Sequence, residues 1–362
     1  MDIVELDLSD HAQAEHYWRV RETALSDGRP RYQPTRLEDF LELLNLPDDL
    51  YRRRVLGVMA RHVMMGAALE LTPKDPQSED VWVFPYVPPH YRGDGIGRML
   101  MEELISHAER SGRTRMLSAV EFAGDNLMEA ARHPYVGFAR THGFEIGRRM
   151  IRWELRLPVR EDTRDSFVQA AYPRMEGYRL TLFEGMVPPR WREAFLGLYA
   201  AAEAGDLAAG MAVRPMSNLG GYEAATQMWI TQGHRIVTAL ALDPQDRPVA
   251  FSSARVPPKP EFAATMQGLT WVDEAHRRKR LAPMLLLATA TWLVERAPER
   301  EFVQTTTVEI DRKMASLSRA IGYQPIETLL RVTRRITPPK EEPAGEGGGS
   351  CGSGGEGRAS GA

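Results

Sequence analysis

The chemistry in this sequence is concentrated in residues 92–97, Arg-Gly-Asp-Gly-Ile-Gly. Glycines 93, 95 and 97 let the backbone take positive φ or approach a ligand closely. A helix that starts at such a turn presents free N–H groups and a positive dipole end, which together make an anion site. Arg92 stands just before the glycines and can add a bidentate contact to a phosphate, while Asp94 partly opposes one. The turn therefore reads as a cradle for phosphate or pyrophosphate. A P-loop would end in Gly-Lys-Ser/Thr, which is absent. A dinucleotide fold would place GxGxxG directly after a strand, whereas here GxGxG follows a Pro88-Pro89 break.

Two elements must position this turn. Residues 81–87 read as a strand. From Ile96 an amphipathic helix follows, with Ile96, Leu100, Leu104 and Ala108 on one face and Met99 beside them. Arg98, Glu102, Glu103, Glu109 and Arg110 face water, and Gly112 ends the helix. Upstream, the pattern predicts a strand at 3–8, a helix at 10–25 capped by Ser9 or Asp10, and a loop at 26–36. A short helix follows, with Thr35 and Glu38 as a capping box, then strands at 54–60 and 63–71. Downstream it predicts a strand at 116–122, a loop, a helix near 135–142, Gly143-Phe144, and a strand at 149–157.

The same order returns after residue 177. Strands are predicted at 178–183, 236–242, 248–256 and 268–272, and helices at 188–204 and 221–233. A basic turn, His276-Arg277-Arg278-Lys279-Arg280-Leu281-Ala282, opens a helix to 296. A strand at 302–308, a helix at 313–321, Gly322-Tyr323 and a strand at 329–336 complete the series. Arg92 matches Arg277, Gly143-Phe144 matches Gly322-Tyr323, and Arg152 matches Arg331. A repeat of about 180 residues is too long for a solenoid unit and reads as two copies of one α/β domain. The boundaries expected are 1–158 and 178–336, with a polar linker at 159–177 and a disordered Gly/Ser/Glu-rich tail at 337–362.

Strand, Arg-x-x-Gly-x-Gly turn and helix together resemble the acetyl-CoA site of the GNAT acyltransferase superfamily. Residues 1–336 as a whole are similar to tandem GNAT acetyltransferases of the actinobacterial type, the group that includes, at a distance, mycothiol synthase. The resemblance implies two tandem GNAT domains, each a mixed, mostly antiparallel sheet flanked by helices. It implies that the amides of Gly93, Asp94, Gly95, Ile96 and Gly97, with Arg92, hold the CoA pyrophosphate. It also implies that the central strand splays from its neighbour at a bulge, so that backbone at Val87 holds the acyl arm. The second-half counterparts are Val272, Arg277, Arg280 and Ala282. There Arg278 and Arg280 replace glycines, which fits either a variant CoA site or a decayed one with a solvated basic surface. The apolar helix behind that turn is expected to lie buried between the domains.

Acyl transfer to an amine needs a proton acceptor. Glu121, which interrupts an apolar run, is the candidate general base; Glu79 and Asp80 are alternatives, and Glu309 is the second-half analogue. The tyrosine that serves as general acid in the family is replaced by Ala139 and Ser318, with Tyr135 one helical turn earlier. The family's asparagine is replaced by Arg132 and Asp311. No nucleophile for a covalent acyl-enzyme is evident, so direct attack in a ternary complex is expected.

Composition narrows the rest. The 362 residues are 43% hydrophobic and carry a net charge of −3, which gives no nucleic-acid footprint. Neither a signal peptide nor a membrane span is read. The single cysteine, Cys351, excludes a disulfide within the chain, and His90, His107, His133 and His142 form no metal-ligand set. The expectation is a cytoplasmic N-acyltransferase that takes acetyl-CoA and a small-molecule amine, without nucleic acid or membrane partners, as monomer or homodimer. The alternative is a catalytically weak CoA-binding regulator.

Overall fold

A computed structural model describes residues 1–45, 48, 50–207, 218–258, 264–309 and 311–336. The first half runs β1 (Asp2–Glu5), α1 (His11–Ser26), α2 (Leu37–Asn45), β2 (Tyr51–Ala60), β3 (Val63–Pro73), β4 (Asp80–Tyr86), α3 (Ile96–Arg110), β5 (Arg115–Ala123), α4 (Leu127–Arg132), α5 (Pro134–Thr141) and β6 (Glu145–Arg156). After α6 (Glu161–Ala171) come β7 (Arg179–Glu184), α7 (Pro189–Leu207), α8 (Leu219–Thr231), β8 (Arg235–Leu242), β9 (Pro248–Val256), β10 (Ala264–Val272), α9 (Leu281–Arg296), β11 (Phe302–Val308), α10 (Arg312–Ile321) and β12 (Gln324–Arg335). Among the described residues no helix is long and apolar enough to cross a membrane, and no group of three or more His, Cys, Asp or Glu could hold a metal ion.

Local sequence explains most boundaries. Asp10 caps α1 by accepting from the amides of Ala12 and Gln13. Gly112 and Gly322 take positive φ just past α3 and α10, where a side chain would be strained. The capping box expected at Thr35 and Glu38 is displaced by one residue. Arg36 supplies the first carbonyl of α2, accepting from the Phe40 amide at 2.9 Å, while the Thr35 amide donates to Glu22 at 3.0 Å.

The strands form one twelve-stranded sheet in the order β1-β2-β3-β4-β5-β12-β6-β11-β10-β9-β8-β7. All neighbours are antiparallel except β4 with β5 and β10 with β11. Both parallel pairs are short. β4 meets β5 only from Asp80 to Trp82, and β10 meets β11 only from Ala264 to Met266. Beyond those points each pair diverges, and alternate residues of β4 and β10 face the gap with backbone groups that no strand satisfies. The bulge expected at this divergence exists only in the second half, between Gln267 and Thr270. In the first half β4 pairs with β3 in unbroken register past the point where β5 leaves it.

The order also corrects the picture of two complete domains. The last strand of each half sits in the other half's sheet. β12 lies between β5 and β6, and β6 lies between β12 and β11. Packing follows suit. Val332 and Ile336 join the core built around Ile96, Leu100 and Leu104, while Ile151, Trp153 and Leu155 join the core built around Leu286, Leu293 and Val303. A cut at residue 158 therefore separates no closed sheet. Two further corrections concern helices. The segment read as a linker contains α6, and the loop after β5 contains α4. Helix α9 packs on β8, β9 and β10 of its own half, with α6 on its other side, and shares its core with Ile151, Trp153 and Leu155 of β6.

Candidate active site

The split between β4 and β5 opens into a cavity of about 1190 Å³. One wall is Phe84, Pro85, Tyr86 and Val87; the other is Ser118, Ala119, Val120 and Glu121. It ends on the turn before α3, at Gly93, Gly95, Ile96 and Gly97. Gly93 and Gly95 have φ of 94° and 81°, and a Cβ on either would meet nothing within 4 Å, so conformation rather than crowding demands glycine there. At Gly97 the reason is contact: a Cβ would lie 3.1 Å from the Phe138 ring. The first amides of α3 thus face open space with a positive dipole end behind them.

Arg92 organises this turn from the side. Its Nε donates to the Val87 carbonyl at 2.9 Å, its Nη1 pairs with Asp27 at 2.5 Å, and its guanidinium lies over Tyr135 at 5.1 Å. The Tyr135 hydroxyl donates to the same Asp27 carboxylate at 3.1 Å. The Arg92 hydrogen bond and that of Tyr135 pull the Asp27 pKa down against burial. His133 caps α5 by accepting from the Tyr135 amide, and its ring stacks on Phe122 at 4.2 Å. Burial, with Arg92 nearby, lowers its pKa and keeps the imidazole neutral.

Glu121 lines the cavity and is held from behind. Its Oε2 accepts from Arg29 Nη2 at 2.5 Å and lies 3.6 Å from Arg152. Both arginines also pair with Glu327 of β12, whose side chain is 1% exposed, through a 2.8 Å contact from Arg29 Nη2 and a shorter one from Arg152. Glu121 Oε1 has no partner among the described residues. The carboxylate is fixed in orientation with one oxygen left for a ligand.

The loop at 26–36 borders the cavity. Arg29, Tyr32, Gln33 and Thr35 face the cavity. The loop is pinned by Glu22, which accepts from the Tyr32 hydroxyl and the Thr35 amide, and by Trp18, which donates to the Thr35 carbonyl at 2.7 Å. The far wall comes from the other half: Met266 of β10 and Gln304 of β11.

Of the residues singled out in the first half, Val87, Arg92, Gly93, Gly95, Ile96, Gly97 and Glu121 come together in this cavity; Asp94 does not line it. Glu79 and Asp80 do not line it either, and Asp80 is paired with Arg115. Sequence reasoning missed Asp27 and Arg29, which sit in a loop of mixed composition that carries no pattern.

The second-half residues repeat the first-half geometry without the glycines. Arg277 Nε donates to the Val272 carbonyl at 3.3 Å and the guanidinium lies over Trp271 at 5.2 Å, as Arg92 does with Val87 and Tyr135. Arg278 and Arg280 hold φ of 66° and 62°, the conformations of Gly93 and Gly95. Ala282 takes the place of Gly97 in the first turn of α9. Val272 packs against the cluster that holds Leu281 and Leu285. Glu309, the analogue of the candidate base, pairs with Arg149 at 2.8 Å.

The model of the acetyltransferase (GNAT) family matches residues 18–143. No curated protein matches the sequence. Among solved structures, a tandem GNAT protein from the clavulanic acid biosynthesis pathway, solved without AcCoA, is 20% identical with a TM-score of 0.73, covering 93% of this chain and 99% of that one. A GCN5-related N-acetyltransferase from Sphaerobacter thermophilus is 18% identical with a TM-score of 0.60, covering 93% and 96%. The chain as a whole has the tandem GNAT fold, with its mostly antiparallel sheet flanked by helices.

Proposed function

We propose that the protein is an acetyl-CoA-dependent N-acyltransferase with its principal active site in the β4–β5 cavity. The observation that carries this is the cavity itself: a split strand pair leading directly to the open N-terminus of α3. Acetyl-CoA would supply an activated acetyl thioester, and the residues fit it. The amides at Gly93 to Gly97 and the α3 dipole suit the pyrophosphate, and the unpaired edge of β4 up to Val87 suits the pantetheine arm.

The chain's own residues then have defined roles. Glu121 Oε1 accepts a hydrogen bond from the incoming amine, orients its lone pair, and takes its proton as the new C–N bond forms. Arg29 and Arg152 hold that carboxylate in place. Arg92 fixes the shape of the turn through Val87 and Asp27 rather than standing free for phosphate. Tyr135 is the hydroxyl nearest this network and can return a proton to the departing sulfur.

The test is thiol release from acetyl-CoA over a panel of small amines. Glu121→Gln should lower kcat/KM about 100-fold while leaving acetyl-CoA affinity by calorimetry unchanged. Unaltered turnover in that variant would remove Glu121 from the reaction. A second reading, a CoA-binding protein without turnover, is favoured by Ala139 and Ser318 standing where the family keeps its acid. It predicts calorimetric CoA binding with no thiol release from any amine.

A further inference from the structure

Beside the candidate active site lies a second, smaller pocket of about 260 Å³. It sits between α2 of the first half and α8, β9 and β10 of the second, and it shares Gln33, Thr35 and Met266 with the larger cavity. The two volumes are thus neighbours, with Gln33, Thr35 and Met266 at their common border.

Arg255 stands in the smaller pocket, and among the described residues lining it carries the one fixed positive charge. Its guanidinium lies over the Trp229 ring at 5.1 Å. No carboxylate and no hydrogen-bond acceptor among the described residues partners it, whereas Arg29, Arg54 and Arg152 of the first half all meet carboxylates. Burial alone acts on it and pulls its pKa down from the usual arginine value. A partly buried guanidinium with no counter-ion among the described residues is a ready partner for an anion. His234, in the same pocket, does not compete for that anion, because burial drives its pKa down to about 4 and leaves the ring neutral. Asp39 and Glu42 border the pocket from α2. Their charge disfavours a phosphate dianion and leaves a carboxylate, with its single charge, as the group that fits.

We propose that Arg255 receives a carboxylate carried by the acceptor, so that the preferred substrates are amines with a carboxylate at the far end of the molecule. The amine meets Glu121, the connecting atoms pass Met266, and the carboxylate seats on the guanidinium plane above Trp229. This rests on the acyltransferase reading above and narrows it to a substrate class. The second half then recognises the acceptor, while the first half holds the acyl donor.

The experiment is thiol release with linear ω-amino carboxylates, from glycine to aminooctanoate, each paired with its amide. At the best chain length the acid should exceed the amide by about 10- to 100-fold in kcat/KM, carried mostly by KM, as expected for a charge-assisted contact made equally in ground and transition states. Arg255→Met should bring that ratio to about one by lowering kcat/KM on the acids, and Arg255→Lys should keep part of it. Replacing a partly buried, unpaired charge by an apolar chain of similar length should preserve the fold, which circular dichroism of the variant checks. The same carboxylates are titrated calorimetrically into wild type and Arg255→Met without acetyl-CoA. Binding that is lost in the variant, with no turnover on any amine, would uphold the carboxylate site and reject the acyltransferase reading. Turnover at equal rates on acids and amides, or a ratio unmoved by Arg255→Met, would do the reverse.

Discussion

Arg29 shows how much one side chain carries here. It bridges Glu121 and Glu327, residues 92 and 298 positions away in sequence, and its own side chain is 3% exposed. Removing one member of a buried ion cluster strands the others, at about 3–5 kcal/mol. Arg29→Met should therefore lower stability by that amount in urea unfolding, and adding Glu327→Leu should recover part of it, because a buried pair replaced as a unit by apolar groups is close to neutral. A loss confined to Glu121-dependent turnover, with stability unchanged, would mean that the cluster is not buried in solution. Nothing in the sequence announces Arg29. Its neighbours are Asp, Gly and Pro, and its partners are set by a strand that the chain reaches only at its far end. Arg92 is different. Its place shortly after a Pro-Pro break and directly before a glycine marks it, although its contacts turn out to be Val87 and Asp27.

At the scale of elements, the two turns before α3 and α9 are a natural pair of controls. Both adopt the same left-handed steps, one with glycines and one with arginines. A non-glycine residue in that conformation costs roughly 1 kcal/mol. Gly95→Arg should destabilise by about that amount and weaken acetyl-CoA binding, since its side chain enters the space before α3. Arg280→Gly should be neutral or stabilising by up to about 1 kcal/mol, the relief of strain being partly offset by glycine's larger unfolded-state entropy. Denaturation midpoints and calorimetric affinities of the two variants check both. Order and type of most elements were legible in the sequence, because hydrophobic periodicity, caps and the repeat reinforced one another. Helix α6 was not, since its charged stretch from Glu161 hides a narrow apolar stripe that only α9 uncovers.

At the scale of the molecule, the repeat told which elements exist but not which copy of a slot each fills. β6 and β12 carry similar patterns, and either could have closed its own half. Exchange makes the halves one cooperative unit. The chain should unfold in a single transition with matching calorimetric and van't Hoff enthalpies. Ending it at residue 323, without β12, should abolish that transition for both halves, as followed by calorimetry and circular dichroism. Two separate transitions in the intact chain would contradict the exchanged order.

The exchange also has a consequence on the ribosome. When β6 has emerged, its intended neighbour β12 is still about 180 residues from being made, on the order of ten seconds or more at ordinary rates of synthesis. For that interval the edges of β5 and β6 face each other across an empty slot. On a crowded polysome a β12 from the chain ahead fits that slot as well as the chain's own, so a dimer joined by its last strand is the natural by-product of fast translation at high expression.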